Sequence, residues 1–163
     1  MTDPSSLPAG LTHVRKDGSA HMVDVSAKPA TVRRAVAQAV LATRDDVVAM
    51  VLAGELPKGE AVGTARVAGI MAAKQTSTLI PLCHPLPLSA IAVEIASDGS
   101  RLLVTATVST TAPTGVEMEA LTAATVAALT LYDMIKAVDK LAVIGEIMVL
   151  EKQGGKSGDW SRG

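Results

Sequence analysis

The stretch "PLSAIAVEIASDGSRLLVTATVST" (87–110) constrains the fold more than any other part of the chain. Two runs with alternating apolar residues flank Asp98-Gly99-Ser100, the pattern of strands buried on one face and joined by a tight turn. Gly99 supplies the permissive backbone that such a reversal requires. An antiparallel hairpin follows, and its apolar face needs a covering layer.

The other segments can provide that layer. "TVRRAVAQAVLAT" (31–43) is alanine-rich, as helices often are. Its Val32, Val36 and Val40, interleaved with Arg34 and Gln38, read instead as period two, so a strand is expected. "RDDVVAMVLAGEL" (44–56) reads as a short helix ending at Gly54. "GEAVGTARVAGIMAAKQTS" (59–77) reads as a longer one, with Ala61, Ala65, Ala68 and Ala72 as a stripe for close packing. A long helix is expected over 115–140 with Thr114 at its N-cap, then a last strand over 142–152. "HMVDVS" (21–26) is a short strand or an ordered approach segment. The order β, α, α, β, β, α, β implies an α+β, ferredoxin-like fold, a mostly antiparallel sheet with helices packed on one face. Residues 1–163 read as a single domain whose Gly-, Pro- and Ser-rich ends, 1–10 and 154–163, are mobile.

Composition narrows the function. The net charge of −1 and the near absence of aromatics argue against nucleic-acid binding, which needs basic surface and stacking platforms. One cysteine, Cys83, permits no internal disulfide. No secretory signal or membrane-length apolar run stands out, so a cytoplasmic protein that does not enter membranes is expected.

"EKQGGKSGDW" (151–160) contains Gly-Gly-Lys-Ser but is not a P-loop. The required earlier glycine is Leu150, and no helix can follow before the chain ends. Lys152 and Lys156 can still face an anion. Arg33 and Lys152, read as lying on two outer strands, can approach each other and grip a polyphosphate. Lys58 in "LPKGE" precedes a helix N-terminus, another place for an anion.

In "TGVEMEAL" (114–121), Thr114 and Glu117 fit a capping box, which leaves Glu119 unexplained. Two glutamates here could accept hydrogen bonds from a donor-rich edge such as guanine's. Asp133 and Lys136 are an i, i+3 pair: either a surface ion pair or a proton-transfer couple in which each group tunes the other. Glu117 and Asp133 are about 24 Å apart along one helix, too far to share a small ligand within one subunit. They serve different sites, or a neighbouring subunit brings the opposite helix end alongside. Cys83-His84 in "LIPLCHPLPLS" lacks the further ligands a zinc site needs, since His13 and His21 form no motif with it. No metal site is expected. A stiff loop offering an imidazole to a ligand remains open.

"AHMVDVSAK" (20–28), "TARVAGIMAAK" (64–74), "LIPLCHPL" (79–86), "TGVEMEALTAAT" (114–125), "LYDMIKAV" (131–138) and "GGKSG" (154–158) closely resemble the cyclic pyranopterin monophosphate synthase family of molybdenum-cofactor biosynthesis. The resemblance runs from about Leu11 to Trp160. It implies a lyase that rearranges 3',8-cyclo-7,8-dihydro-GTP, the product of a radical S-adenosylmethionine GTP cyclase, into a pterin bearing a cyclic phosphate, with release of pyrophosphate. It further implies catalytic roles for Lys58, Asp133 and Lys136. Leu82, Cys83, His84, Glu117, Met118 and Glu119 would line the base pocket, and Arg33, Lys74 and Lys152 would contact the triphosphate. No tightly bound cofactor is implied, although Mg²⁺ can accompany the triphosphate or pyrophosphate. The implied assembly is a homohexamer, a trimer of dimers, with sites shared at the dimer interface. Pro113 stands where some members carry a basic residue, so a charge contact there is absent. A lysine beside another cation, or partly desolvated, is expected to have a lowered pKa suited to proton transfer. The rival reading is a non-catalytic regulatory module of the same fold that binds a small ligand between subunits.

Overall fold

The computed structural model describes residues 17–163. The N-terminal end 1–10 and His13 lie outside the described residues. Along the chain come β1 (Thr31–Ala42), α1 (Asp45–Ala53), α2 (Ala61–Lys74), α3 (Thr76–Leu79), β2 (Leu88–Asp98), β3 (Arg101–Ala112), α4 (Glu117–Ile135), β4 (Val143–Gln153) and β5 (Trp160–Ser161). The strands form one antiparallel sheet in the order β2-β3-β1-β4-β5, and its first four strands follow the ferredoxin-like arrangement.

The β2–β3 hairpin turns at Asp98 and Arg101, with Gly99 at φ 56. On β3, Leu102, Val104, Ala106 and Val108 point into the core while the residues between them are half-buried. β1 is a strand, but its faces are used differently from the expectation. Ala35, Ala37, Ala39 and Leu41 join the helix-side core. Val36 and Val40 share the opposite face with Arg34 and Gln38, because residues two apart on a strand face the same way. Alanines therefore form the helix-facing surface of the central strand. β1 is not an outer strand either, since it lies between β3 and β4.

α4 lies across β1, β3 and β4, and α2 packs against α4 and β2. Both contacts depend on small side chains. Ala61, Ala65, Gly69, Ala72 and Ala73 are buried on α2, opposite Ala120, Ala123, Ala124, Ala127 and Ala128 on α4. A Cβ on Gly69 would lie 2.9 Å from the Ala123 carbonyl oxygen and 3.1 Å from Ala127 Cβ. α4 is long and apolar enough to span a membrane by length and composition, although no apolar run of that length was expected from the sequence. Its alanine face is packed inside the fold, as in a core helix.

Several boundaries differ from those expected. The helix expected over 59–77 breaks at Gln75 into α2 and α3. α4 ends at Ile135, after which Asp139 turns the chain back. The Asp139 carboxylate accepts from Thr43 Oγ1 at 2.6 Å and from the Leu141 N–H at 3.0 Å. "HMVDVS" forms no strand and is the approach segment, its Val23 carbonyl meeting His84. The segment 154–163, expected as a mobile end, folds back so that Trp160 and Ser161 pair with Lys152 and Glu151.

Replacing Gly69 by leucine should overpack the α2–α4 contact at a cost of about 1–3 kcal/mol. Thermal unfolding of Gly69→Leu should shift down by several degrees relative to the parent, and an unchanged midpoint would show that the helices can separate freely.

Candidate active site

α4 begins at Glu117, with Val116 at the N-cap and no side-chain capping bond, so the expected Thr114–Glu117 capping box does not form. The Glu117 carboxylate lies over Gly115, in space that a Cβ there would fill. Both glutamates of the motif sit in the first turn, where the helix dipole favours negative charge. They differ in burial. Glu119 is only 4% exposed, whereas Glu117 is half-buried. Burial pushes the Glu119 carboxyl above its ordinary value, its own backbone N–H works the other way, and the Glu117 charge adds a further upward push.

Leu82, Cys83, His84, Leu86, Thr114, Gly115, Glu117, Met118 and Glu119 line a cavity of about 180 Å³. All six residues expected in a base pocket are among them. The His84 Nε2–H donates to the Val23 carbonyl at 2.7 Å, which fixes the ring. Burial, with the nearby Glu119, raises the Cys83 thiol, so it stays protonated and is a poor nucleophile or metal ligand. Among the described residues, no group of three or more His, Cys, Asp or Glu is placed to hold a metal ion.

A second cavity, of about 890 Å³, adjoins the first and shares Thr114, Gly115 and Glu117 with it. Its remaining wall carries Lys28, Arg33, Lys152 and Lys156, together with Pro113 and Ser157. The β1–β4 register sets Ala35 opposite Lys152 and Arg34 opposite Gln153, which brings Arg33 beside the end of β4. Arg34 is neutralised by Glu151 at 3.2 Å. Lys156 was expected only as a residue that can face an anion, and Lys28 and Ser157 were not singled out as site residues in the sequence. Only the return of the chain through β5 places them together, and the Gly-Gly-Lys-Ser run was the one signal. Pro113 lies in the wall of the cationic cavity.

Lys58, Asp133 and Lys136 form a separate cluster at the far end of α4. The Lys58 Nζ donates to the Asp133 carboxylate at 2.8 Å and to the Asp133 carbonyl at 2.7 Å. Lys136 Nζ lies 2.6 Å from the other carboxylate oxygen. Lys136 and Lys58 together hold the Asp133 carboxyl down at about 2. Lys136 is itself raised by the Asp133 hydrogen bond, contrary to the expected lowering. The paired carboxylate, which favours the ammonium form, is the reason.

The structure therefore joins the base-pocket residues to Arg33 and Lys152 but leaves the lysine–aspartate cluster about 24 Å along the helix from Glu117. Lys74, the last residue of α2, is exposed and borders neither cavity. With Gly69 against Ala123 and Lys58 against Asp133, α2 runs antiparallel to α4, which puts Lys74 toward the glutamate end.

A carboxyl whose folded pKa is raised stabilises the protein below its unfolded pKa and loses that contribution as pH rises through the folded value. Glu119→Gln should therefore melt higher than the parent near about pH 7.5, with the gain disappearing near about pH 4. A variant no more stable at the higher pH would mean that the buried charge carries no penalty.

The MoaC family profile matches residues 22–155. The chain is 62% identical over 151 residues to a cyclic pyranopterin monophosphate synthase of Corynebacterium efficiens, covering 93% of this chain and 97% of that protein. It is 56% identical over 161 residues to one from a Nocardioides species, covering 97% and 99%. It is 57% identical over 152 residues to cyclic pyranopterin monophosphate synthase 2 of Mycobacterium tuberculosis, covering 93% and 91%. A profile match over most of the chain, relatives of this identity along nearly their full length, and the paired cavities at the head of α4 lead to one conclusion: the chain belongs to the MoaC family.

Proposed function

We propose that this protein is a lyase of molybdenum-cofactor biosynthesis, converting 3',8-cyclo-7,8-dihydro-GTP to cyclic pyranopterin monophosphate and pyrophosphate. The observation that carries the reading is the junction of two unlike cavities through Thr114, Gly115 and Glu117. One offers a buried carboxylate in need of hydrogen-bond donors, and the other gathers lysines and an arginine. A guanine-derived head with a triphosphate tail satisfies both at once.

The head brings N–H groups to Glu119 and Glu117, and charge-assisted bonds there offset the desolvation of the buried carboxylate. Leu82, Cys83 and Met118 supply the apolar wall, and His84 is held ready by Val23. Arg33, Lys28 and Lys152 neutralise the phosphates, with Lys74 as a further contact from the end of α2. Cyclisation joins a ribose hydroxyl to the inner phosphate and breaks its bond to the bridging oxygen, so negative charge builds on the departing pyrophosphate. Fixed cations stabilise that charge. The cavity wall carries one carboxylate among its cations, a donor set that suits phosphate rather than a resident metal. Any Mg²⁺ would arrive bound to the phosphates.

Ring opening and reclosure need proton transfers, for which Lys58, Asp133 and Lys136 are the groups. Their distance from Glu117 along α4 means that a second copy of the chain completes each site. A homohexamer built as a trimer of dimers, with sites shared within each dimer, meets that requirement. In this reading Asp133 pairs with both lysines until substrate displaces one of them. A radical S-adenosylmethionine GTP cyclase supplies the substrate, and the enzyme works in the cytoplasm.

Pyrophosphate release from the cyclised GTP substrate tests the reaction directly, and its absence from the pure protein would refute it. Lys58→Ala should bind substrate but lose at least about 100-fold in turnover. Normal product formation by that variant would remove Lys58 from the chemistry. Mixing tests the shared site. Lys58→Ala and Arg33→Ala should each be inactive alone, yet co-assembled subunits should recover about a quarter of the parent activity, because one site in each mixed dimer keeps both intact halves. No recovery would confine each site to one chain.

A further inference from the structure

Gly154 and Gly155 follow β4 with φ 87 and φ 85, in the region that side chains disfavour. A Cβ on Gly154 would overlap the Val32 carbonyl oxygen. One on Gly155 would overlap the Arg33 Nη1 and lie 2.8 Å from its Cζ. The guanidinium thus lies directly on the Gly155 backbone, in the space a side chain would take. Arg33 Nε is buried and has no hydrogen-bond partner, and Arg33 forms no ion pair among the described residues. Its neighbour Arg34 is spent on Glu151.

The turn that carries this backbone is built independently of Arg33. The Gly154 N–H donates to Asp159 Oδ1 at 2.9 Å, and the Gly158 N–H donates to the Gly155 carbonyl at 3.1 Å. Lys152 Nζ donates to Ser157 Oγ, and the β4–β5 pairs close the base. Arg33, Lys152, Gly155 and Lys156 all line the cationic cavity.

We propose that Gly155 is a positioning residue whose bare backbone seats the Arg33 guanidinium so that its fork faces the phosphates. Any side chain at this position drives Arg33 off its seat. An arginine gains most from such a seat, because its planar fork grips two phosphate oxygens only when its orientation is fixed. The inference rests on the polyphosphate reading of this cavity, which the first measurement below tests separately from catalysis.

Inorganic tripolyphosphate is the probe, titrated calorimetrically into the intact protein. The parent should bind it, and Gly155→Ala should bind about 10–100-fold more weakly, the range set by charge-assisted hydrogen bonds. With the cyclised GTP substrate, Gly155→Ala should raise KM by a similar factor and lower kcat as well, because Arg33 also steadies the charge on the departing pyrophosphate. Gly158→Ala is the control for backbone strain. It lies in the same turn with φ 68, but nothing is within 4 Å of its added Cβ, so its tripolyphosphate affinity should match the parent. In an Arg33→Ala background, Gly155→Ala should cause no further loss, since the two residues act through one contact. An equal loss in both backgrounds, or an equal loss from Gly158→Ala, would overturn the seat. Failure of the parent to bind tripolyphosphate would also overturn it. Binding without turnover of the nucleotide would refute the reaction but leave the seat standing.

Discussion

The close contact between α2 and α4 is the constraint on which the rest depends. Where alanines and one glycine meet, little side-chain volume separates the two backbones, and each helix limits where the other can move. α4 is thereby fixed against the sheet as well, and its length becomes a ruler. The distance between its two chemical ends exceeds a Debye length at physiological salt, so each end keeps its own electrostatics. At the head, the helix dipole favours Glu119, yet burial outweighs it and the carboxyl rises. At the tail, the dipole opposes Asp133, yet two lysines outweigh it and the carboxyl falls. One helix therefore carries two carboxyls displaced in opposite directions, an arrangement suited to two tasks rather than one.

The sheet makes the cationic wall from pieces that are far apart in the chain. Lys28 precedes β1, Arg33 lies on it, Lys152 is the last residue but one of β4, and Lys156 belongs to the turn before β5. The β1–β4 ladder shifts register between Val36 and Ala37 and again between Gln38 and Val40. These irregularities decide which residue of β4 arrives beside Arg33. Farther along β4, Glu146 takes φ 48, an uncommon conformation for a residue with a side chain, and it pairs with Arg101 across the sheet.

Much of the fold could be read from residue patterns. The hairpin and β1 follow from period two, and α1 stops at Gly54 with φ 71, as a C-cap glycine does. What could not be read has physical reasons. The valines of β1 drew attention by size, but the helix-facing positions are alanines because the helices come so close. Thr114 and Glu117 match a capping box, but their surroundings turn them to the cavity walls. A two-residue strand such as β5 has too few residues to show a period. For the site, the glutamate pair and the Cys83-His84 loop were visible locally, whereas their meeting in one cavity was expected from the family resemblance alone. Lys28 carries no local signal, because it lies in an irregular segment far along the chain from Lys152 and Lys156, with which it shares the cavity wall. The roles of Lys58, Asp133 and Lys136 came from family resemblance, since an isolated aspartate–lysine spacing cannot be told from a surface ion pair.

The core contains no phenylalanine, and the single tryptophan, Trp160, lies outside it on β5, cross-strand from Lys152 and beneath the Arg162 guanidinium at 5.5 Å. The chain thus has its one strong fluorophore at the rim of the cationic wall. Emission from this indole follows the docking of the C-terminal strap and the charges around it. It is a poor witness to the melting of the alanine-packed interior. A denaturation curve read by fluorescence and one read by helical circular dichroism report on different parts of this molecule, and the interval between them measures how independently the strap detaches.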